Sequence, residues 1–413
     1  MDSYLIPGSA VLGVSLVLGV CATRVWSKPT TPHLPPGPKG HFLFGSSFDI
    51  NAADPGSSFA QWGREYGELV HVRHFGRDLM IINSERIAQD LLERRSRIYS
   101  DRVDYSPIES YGMLFNSAMI NYNDAWRFHR KMMNQLMRPV AIPNYHGVMV
   151  DAAHTLVSKL KDTPEKHWAH IDGYAARNVM EVIFGRGIEQ DQERLVTTFS
   201  EAATCFMEST SDVFLAMVKT FPMLKYVPTS FPGGRFNAAE AKERMNAFKS
   251  TVYGLLQESN EDNLLLQQEN QDEVKNVSAT AFIGVPHCVT EDDHYEGYFI
   301  PKGTVLVGNA GGMLRDPVRY PNPEKFSPER FLNEDGSLTD DDVPAAFGFG
   351  RRVCPGRYLA DSSVWMAIVS MLAELDIKPA KDEEGNAIVF EPEWNHSLSS
   401  RPKPFPCSIV PRN

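Results

Sequence analysis

Apolar and polar positions change their period several times along the chain. The stretch "LVHVRHFGRDLMIIN", Leu69 to Asn83, alternates and is interrupted at Gly76, which is the two-residue period of a β-hairpin turning there. From Ser84 to about Lys249 the period lengthens. "SERIAQDLLERR", "WRFHRKMMNQLM" and "YHGVMVDAAHTLVSKL" place apolar residues three and four apart, which predicts helices. "LLLQQENQDEVKN" is polar and reads as an exposed helix end or loop. "GYFIPKGTVLVGN", Gly297 to Asn309, predicts a second hairpin with its turn at Pro301–Gly303. Asp316 to Ala346 is rich in Pro, Asn and Asp without a period, so a long structured loop is expected. "RYLADSSVWMAIVSMLAEL", Arg357 to Leu375, predicts an amphipathic helix with Leu359, Val364, Ile368 and Leu372 on one side. There is no internal repeat. The fold class is mainly α with small β-sheets.

One stretch belongs to no soluble pattern. Residues 3 to 23, "SYLIPGSAVLGVSLVLGVCAT", carry no charge, and as a helix would span about 31 Å, enough to cross a bilayer's hydrocarbon. Arg24 and Lys28 follow, which orients the body of the protein to the cytosol. A cleaved signal peptide is the rival reading. It lacks a basic leading region and its apolar run is long for that role. Residues 24–40 contain "KPTTPHLPPGPKG", a stiff proline-rich spacer. The expected organisation is a transmembrane anchor over 1–23, a hinge over 24–40 and a single large domain over 41–413.

Charge and cysteine usage narrow the classes. A net charge of −11 argues against a nucleic-acid partner, since neutralising phosphates takes clustered Lys and Arg. Cys21, Cys205, Cys288, Cys354 and Cys407 have no paired spacing and read as reduced thiols. Of these, Cys354 has the most deliberate surroundings, "FGFGRRVCPG", Phe347 to Gly356. It stands at the entry of the helix expected from Gly356, where unpaired N–H groups and the helix dipole lower a thiol pKa. Gly350 permits a tight turn, Arg352 adds a fixed charge, and Gly356 removes side-chain bulk. With no second Cys or His nearby, a tetrahedral zinc site is excluded. A lone thiolate suffices as protein ligand of a haem iron; a buried structural cysteine at a loop–helix junction is the plainer alternative.

The spacing Phe347-x-x-Gly350-x-Arg352-x-Cys354-x-Gly356 resembles the haem-binding signature of the cytochrome P-450 superfamily. "PPGP" after the anchor, "PERF" at Pro328–Phe331 and the Trp126-x-x-x-Arg130 helix are similar to further motifs of that family. "GVPHCVTEDDHYEGYFIPKGT" and "DPVRYPNPEKFSPERF" most resemble fungal members of secondary metabolism. The resemblance implies a cytochrome P-450-like fold and a haem whose iron is held by Cys354. Trp126, Arg130, Arg352 and His287 would bind the haem propionates, Phe347 would protect the sulfur, and Gly356 would let the helix approach the ring. No side chain is assigned a catalytic role of its own. The implied reaction inserts one oxygen atom of O2 into a lipophilic small molecule. No G-x-G-x-x-G fingerprint is present, so electrons would come from an external NADPH-dependent flavin reductase on the endoplasmic reticulum membrane.

The chain departs from the family pattern at one place. No arginine has a glutamate three residues before it, so the family's Glu-x-x-Arg pair is absent. The helix carrying its small-Gly-x-Asp/Glu-Thr segment is absent too. "NVSATAFI", Asn276 to Ile283, enters that helix and passes straight to "GVPHC", which puts an apparent internal deletion at 283/284. Such a loss would open the pocket to water and take from Arg330 the Glu-x-x-Arg helix that would pair with it. The alternative function is therefore a catalytically inactive truncated or splice form acting as a membrane-tethered binding protein.

Overall fold

The computed structural model describes residues 33–184, 212–231, 236–258 and 286–412, together with 205 and 209, apart from positions 43, 52–53, 115, 342, 392 and 396–400. The anchor stretch 3–23, most of the hinge and the 283/284 join lie outside the described residues. Among the described residues, no helix is long and apolar enough to cross a membrane.

Helix α1 (Pro55–Tyr66) is started by Asp54, whose side chain accepts the Ser57 N–H. It leads into the expected hairpin of β1 (Leu69–His74) and β2 (Arg77–Ile82), with Leu69 opposite Ile82 and His74 opposite Arg77. Helical turns from Glu85 to Tyr99, one of them a π-turn over Gln89–Arg94, bury Ile87, Leu91 and Leu92 and end at β3 (Asp101–Arg102). The helical half follows: α2 (Asp124–Met137), α3 (His146–Asp162), α4 (His167–Phe184), α5 (Asp212–Thr220) and α6 (Ala238–Glu258). Chain order then returns to strands, β4 (His287–Cys288), β5 (Asp293–Tyr295), β6 (Tyr298–Ile300) and β7 (Val305–Gly308). Helix α7 (Arg357–Glu374) precedes β8 (Leu375–Pro379), β9 (Trp394–Asn395), β10 (Arg401–Pro402) and β11 (Cys407–Pro411).

The largest sheet runs β1-β2-β7-β4-β3, with β2 and β7 parallel and the other pairs antiparallel. This corrects the second hairpin. Tyr298–Ile300 pairs back onto Asp293–Tyr295 through Glu296 (φ 49°) and Gly297 (φ 82°), the two positive dihedrals of a tight hairpin turn. Val305–Gly308 leaves beyond the Pro301 turn to lie beside β2 instead. Its Leu306 becomes fully buried there, so packing against the sheet core outweighs local pairing. Asp316 to Ala346 is the expected long loop, whose described residues carry short helical turns and an isolated bridge between Leu332 and Leu338. Its Arg330 bonds to backbone carbonyls of the same loop: Nε donates to Ser327 O (3.1 Å), Nη1 to Pro321 O (3.0 Å) and Nη2 to Lys325 O (3.0 Å). The guanidinium knots its own loop.

A methionine-rich helical core built from α2, α3, α4, α5 and α6 contacts α7 through Leu359, and a second core fills the sheet beneath the turns at residues 85–99. The stripe expected on α7 does not hold. Leu359 is buried, but Val364 is 56% exposed, Ile368 46% and Leu372 54%. The face that packs on α3 and α4 is the one bearing Met366, Ala367 and Met371.

Candidate active site

The loop that carries Cys354 is closed by its own backbone. The Cys354 N–H donates to the Phe347 carbonyl at 2.9 Å, and the Val353 N–H to the Gly350 carbonyl at 3.2 Å. Gly350 has φ +59°, and a Cβ there would lie 2.0 Å from the Leu92 carbonyl oxygen, so both the turn and the neighbouring backbone demand glycine. The loop is thereby pressed onto the π-turn, with Phe349 buried in the same core as Leu91 and Leu92. Gly356 caps α7, and a Cβ on it would stand 3.9 Å from the Cys354 Sγ and 3.6 Å from the Met137 Sδ.

Burial raises the Cys354 thiol pKa, against the sequence-based expectation of a lowered one. The Gly356 N–H and the charges of Arg130 and Arg357 pull it down, but desolvation is the larger effect. A half-buried sulfur beside two guanidinium groups would be held as a thiolate by a cation such as a ferric iron.

Around this loop the fold gathers cations. Asn123 caps α2 by accepting the Trp126 N–H at 2.9 Å, which sets the helix phase that turns Trp126 inward. One turn on, Arg130 donates through Nη1 to the Val353 carbonyl, fastening α2 to the residue before the cysteine. Arg352 lies over the Trp126 ring, 4.5 Å from its centroid. It donates to three carbonyls: Nε to Ser100 (2.9 Å), Nη1 to Ser117 (3.0 Å) and Nη2 to Ile120 (2.9 Å). His287, in β4, is buried with Nδ1–H donating to the Tyr99 carbonyl at 2.7 Å. Its cross-strand partner is Arg102, buried at 5% exposure, whose Nε donates to Ala118 O (2.7 Å) and Nη1 to Pro286 O (3.1 Å).

The sequence reading missed Arg102. Its only signal was an arginine inside the apolar-flanked "RIYSDRVDY", and a solvated arginine explains that equally well. The other expected residues do converge: Trp126, Arg130, His287 and Arg352 surround the Cys354 loop, with Phe347 and Gly356 at its two ends. Phe347 is half-buried and holds the loop through its carbonyl.

Electrostatics show what this cluster fits. Burial pushes Arg352 down to about 8 and Arg102 down to about 10, and it also depresses Arg130. His287 is held well below its ordinary range, first by burial and then by the charge of Arg102. Asp101, whose Oδ1 accepts the Tyr122 N–H, offsets part of the charge on both arginines. Among the described residues neither Arg130 nor Arg352 forms an ion pair with a carboxylate; their partners are neutral carbonyls. A guanidinium offers five N–H donors, and Arg352 uses three and Arg130 one. Two half-buried guanidinium groups with spare donors, next to the buried Arg102 and beside one soft sulfur, suit a ligand that carries carboxylates at one edge and a metal at its centre. The residues present fit haem. Along α2 the cluster continues into a cleft of about 370 Å³ lined by Trp126, Arg127, Arg130, Lys131, Asn134, Gln135 and Arg138.

Comparison with known proteins agrees with this geometry. The family model described as Cytochrome P-450 matches residues 35–281 and 277–407, in two pieces that meet at 277–281. A cytochrome P-450 monooxygenase, COX2, of Coprinopsis cinerea is 29% identical over 472 positions, covering 92% of this chain and 89% of the relative. A tryptamine 4-monooxygenase of Psilocybe cyanescens is 29% identical over 497 positions, covering 97% of this chain and 98% of the relative. Cytochrome P-450 monooxygenase 98 of Postia placenta is 27% identical over 498 positions, covering 96% and 95%. These alignments are longer than the 413 residues of the chain, so each relative carries positions without a counterpart here. The cofactor is haem with a thiolate ligand, reduced by a separate redox partner, and the reaction is the monooxygenation of a small molecule as in fungal secondary metabolism. The chain belongs to the cytochrome P-450 family and is one of its monooxygenases.

Proposed function

We propose that Cys354 is the axial ligand and that Arg102, Arg130, Arg352, His287 and Trp126 hold the haem propionates. The observation that carries this reading is the set of arginines gathered around the Cys354 loop, the half-buried Arg130 and Arg352 and the buried Arg102, whose hydrogen-bond partners are backbone carbonyls. A bound propionate would accept from the spare N–H groups of Arg130 and Arg352 and raise the His287 pKa until it donates through Nε2. Haem held by a thiolate supplies the electron-rich iron that oxygen activation requires. The chain's own part is to exclude water from the sulfur, orient it through the Phe347 and Gly350 carbonyls, and balance the carboxylate charge.

The finer assignments belong to the same reading. Residues 1–23 anchor the protein in the endoplasmic reticulum membrane, 24–40 form a hinge, and 41–413 form a haem domain facing the cytosol; the uncharged 3–23 stretch followed by Arg24 and Lys28 supports this. The reductase docks where exposed Arg127, Lys131, Arg138 and Arg351 project beside the cysteine loop. The substrate is a lipophilic small molecule, and an aromatic amine of the kind named for the Psilocybe cyanescens relative is one such class. The chain also lacks an internal family segment at 283/284, a reading supported by the two-piece family match and by alignments longer than the chain.

The test is the reduced-CO difference spectrum of the full chain in membranes. The parent is expected to give the strongly red-shifted band of thiolate-ligated haem, and Cys354→Ser to lose it. A parent that binds haem without that band, or a Cys354→Ser variant that keeps it, would remove Cys354 from the role.

A further inference from the structure

A buried polar pair lies behind the arginines of the cysteine loop. The Ser117 hydroxyl and His129 Nδ1 are 2.8 Å apart, with Ser117 8% exposed and His129 2%. His129 stands on α2 between Trp126 and Arg130, on the side that also buries Met132, Met133 and Leu136. Ser117 stands in the turn before α2, a strap whose carbonyls serve the site. Its own carbonyl and that of Ile120 accept from Arg352, and the Ala118 carbonyl accepts from Arg102. At one end of the strap the Asn116 side chain accepts the Ala118 N–H at 2.9 Å, and at the other the Tyr122 N–H donates to Asp101 Oδ1 at 2.9 Å. The Ser117–His129 bond ties the strap to α2.

We propose that Ser117 and His129 are positioning residues for the haem edge, a role that rests on the haem assignment above. Their hydrogen bond holds the 116–122 strap where its carbonyls keep Arg352 and Arg102 in place for the propionates. Stability alone does not account for the pair. A buried imidazole and hydroxyl gain little over apolar side chains that fill the same space, and the neighbours of His129 on this face are apolar. What a satisfied buried pair adds is a fixed relative position, because either group is costly to leave unpaired. Position matters here because each arginine is held by more than one segment. Arg352 bonds Ser100 as well as Ser117 and Ile120, and Arg102 bonds Pro286 as well as Ala118. A displaced strap breaks several of these bonds at once, since each tolerates little change in length or angle. The fraction of molecules competent to bind haem then falls, and the apparent affinity falls with it.

Haem titration, urea unfolding and arginine modification of the detergent-solubilised full chain test this. Ser117→Ala and the double variant Ser117→Ala, His129→Leu are each expected to bind haem roughly tenfold more weakly than the parent. The double variant replaces both polar partners by apolar groups, so its urea midpoint is expected to stay near that of the parent. In the haem-free chain, phenylglyoxal is expected to modify Arg352 roughly tenfold faster in both variants, read by peptide mass spectrometry. His129→Asn, which keeps an amide nitrogen where Nδ1 stands, is expected to retain most of the affinity and the slow modification. On an Arg352→Gln background, Ser117→Ala is expected to lose most of its effect on haem affinity. Unchanged affinity with unchanged Arg352 modification would overturn the proposal and leave the haem assignment standing. So would an affinity that falls only in step with the urea midpoint, or a Ser117→Ala effect undiminished by Arg352→Gln. Faster Arg352 modification with unchanged affinity would overturn it through the haem assignment, by removing Arg352 from the haem edge. The CO band of each variant, read in parallel, tests Cys354 alone and is expected to keep its position.

Discussion

Gly350 answers to two constraints at once, a positive φ and a carbonyl oxygen 2.0 Å from where a Cβ would sit. Gly350→Ala must move either the cysteine loop or the π-turn at Leu92. A cost of about 2–3 kcal/mol is expected, combining left-handed strain with backbone overlap, together with weaker haem retention, both measurable by urea unfolding and haem titration. Gly356, by contrast, has an ordinary φ and only van der Waals neighbours, so its replacement is expected to disturb the sulfur's surroundings more than the fold. His287 gives a pH-dependent test. Its folded pKa is depressed, so on acidification the unfolded chain takes up the proton first, and the haem-free protein loses stability as pH falls below about 6.5. Unfolding at pH 7.5 and 5.5 should show that loss in the parent and a smaller one in His287→Asn; equal losses would mean other groups carry it.

At the scale of elements, α3 and α4 are held by more than apolar contact. Arg177 donates through Nε to Glu181, one turn on, at 2.5 Å and through Nη1 to the Thr155 hydroxyl of α3 at 3.0 Å, with the Glu181 side chain 5% exposed. Glu181→Ala leaves a guanidinium buried without that carboxylate, at an expected cost of about 3 kcal/mol, read as a shift of the urea midpoint without a change in slope. An unchanged midpoint would mean that water reaches Arg177. The parallel β2–β7 pair makes a related point. Residues more than two hundred positions apart join one sheet, and that sheet's last strands place Arg102 beside His287. A local pattern of strands does not contain such a pairing.

For the whole molecule, the uncovered α7 face, the two-piece family match and the longer relatives bear on one another. Inserting the corresponding internal segment of a relative between Ile283 and Gly284 is expected to raise Tm and haem retention, because each newly buried apolar side chain adds about 1.5–3 kcal/mol. Thermal unfolding and haem titration of the two lengths check this. No gain from the longer chain would count against the reading that a segment is lacking.

The cysteine loop, the Trp126–Arg130 helix and the mainly helical class were legible in the sequence because each is a local pattern: fixed spacing, a glycine where a turn demands it, a helical period. The first hairpin was legible for the same reason. The second was not, because the partner of Val305–Gly308 is a strand from the other end of the chain. The rise in the Cys354 pKa was not legible either, since the helix terminus is local while desolvation comes from distant segments packed on the loop. Nor did the sequence reading recover Arg102 or the buried side of α7. Which of a helix's apolar sides meets the core, and which arginine loses its water, are consequences of long-range packing, and no window of neighbouring residues carries that information.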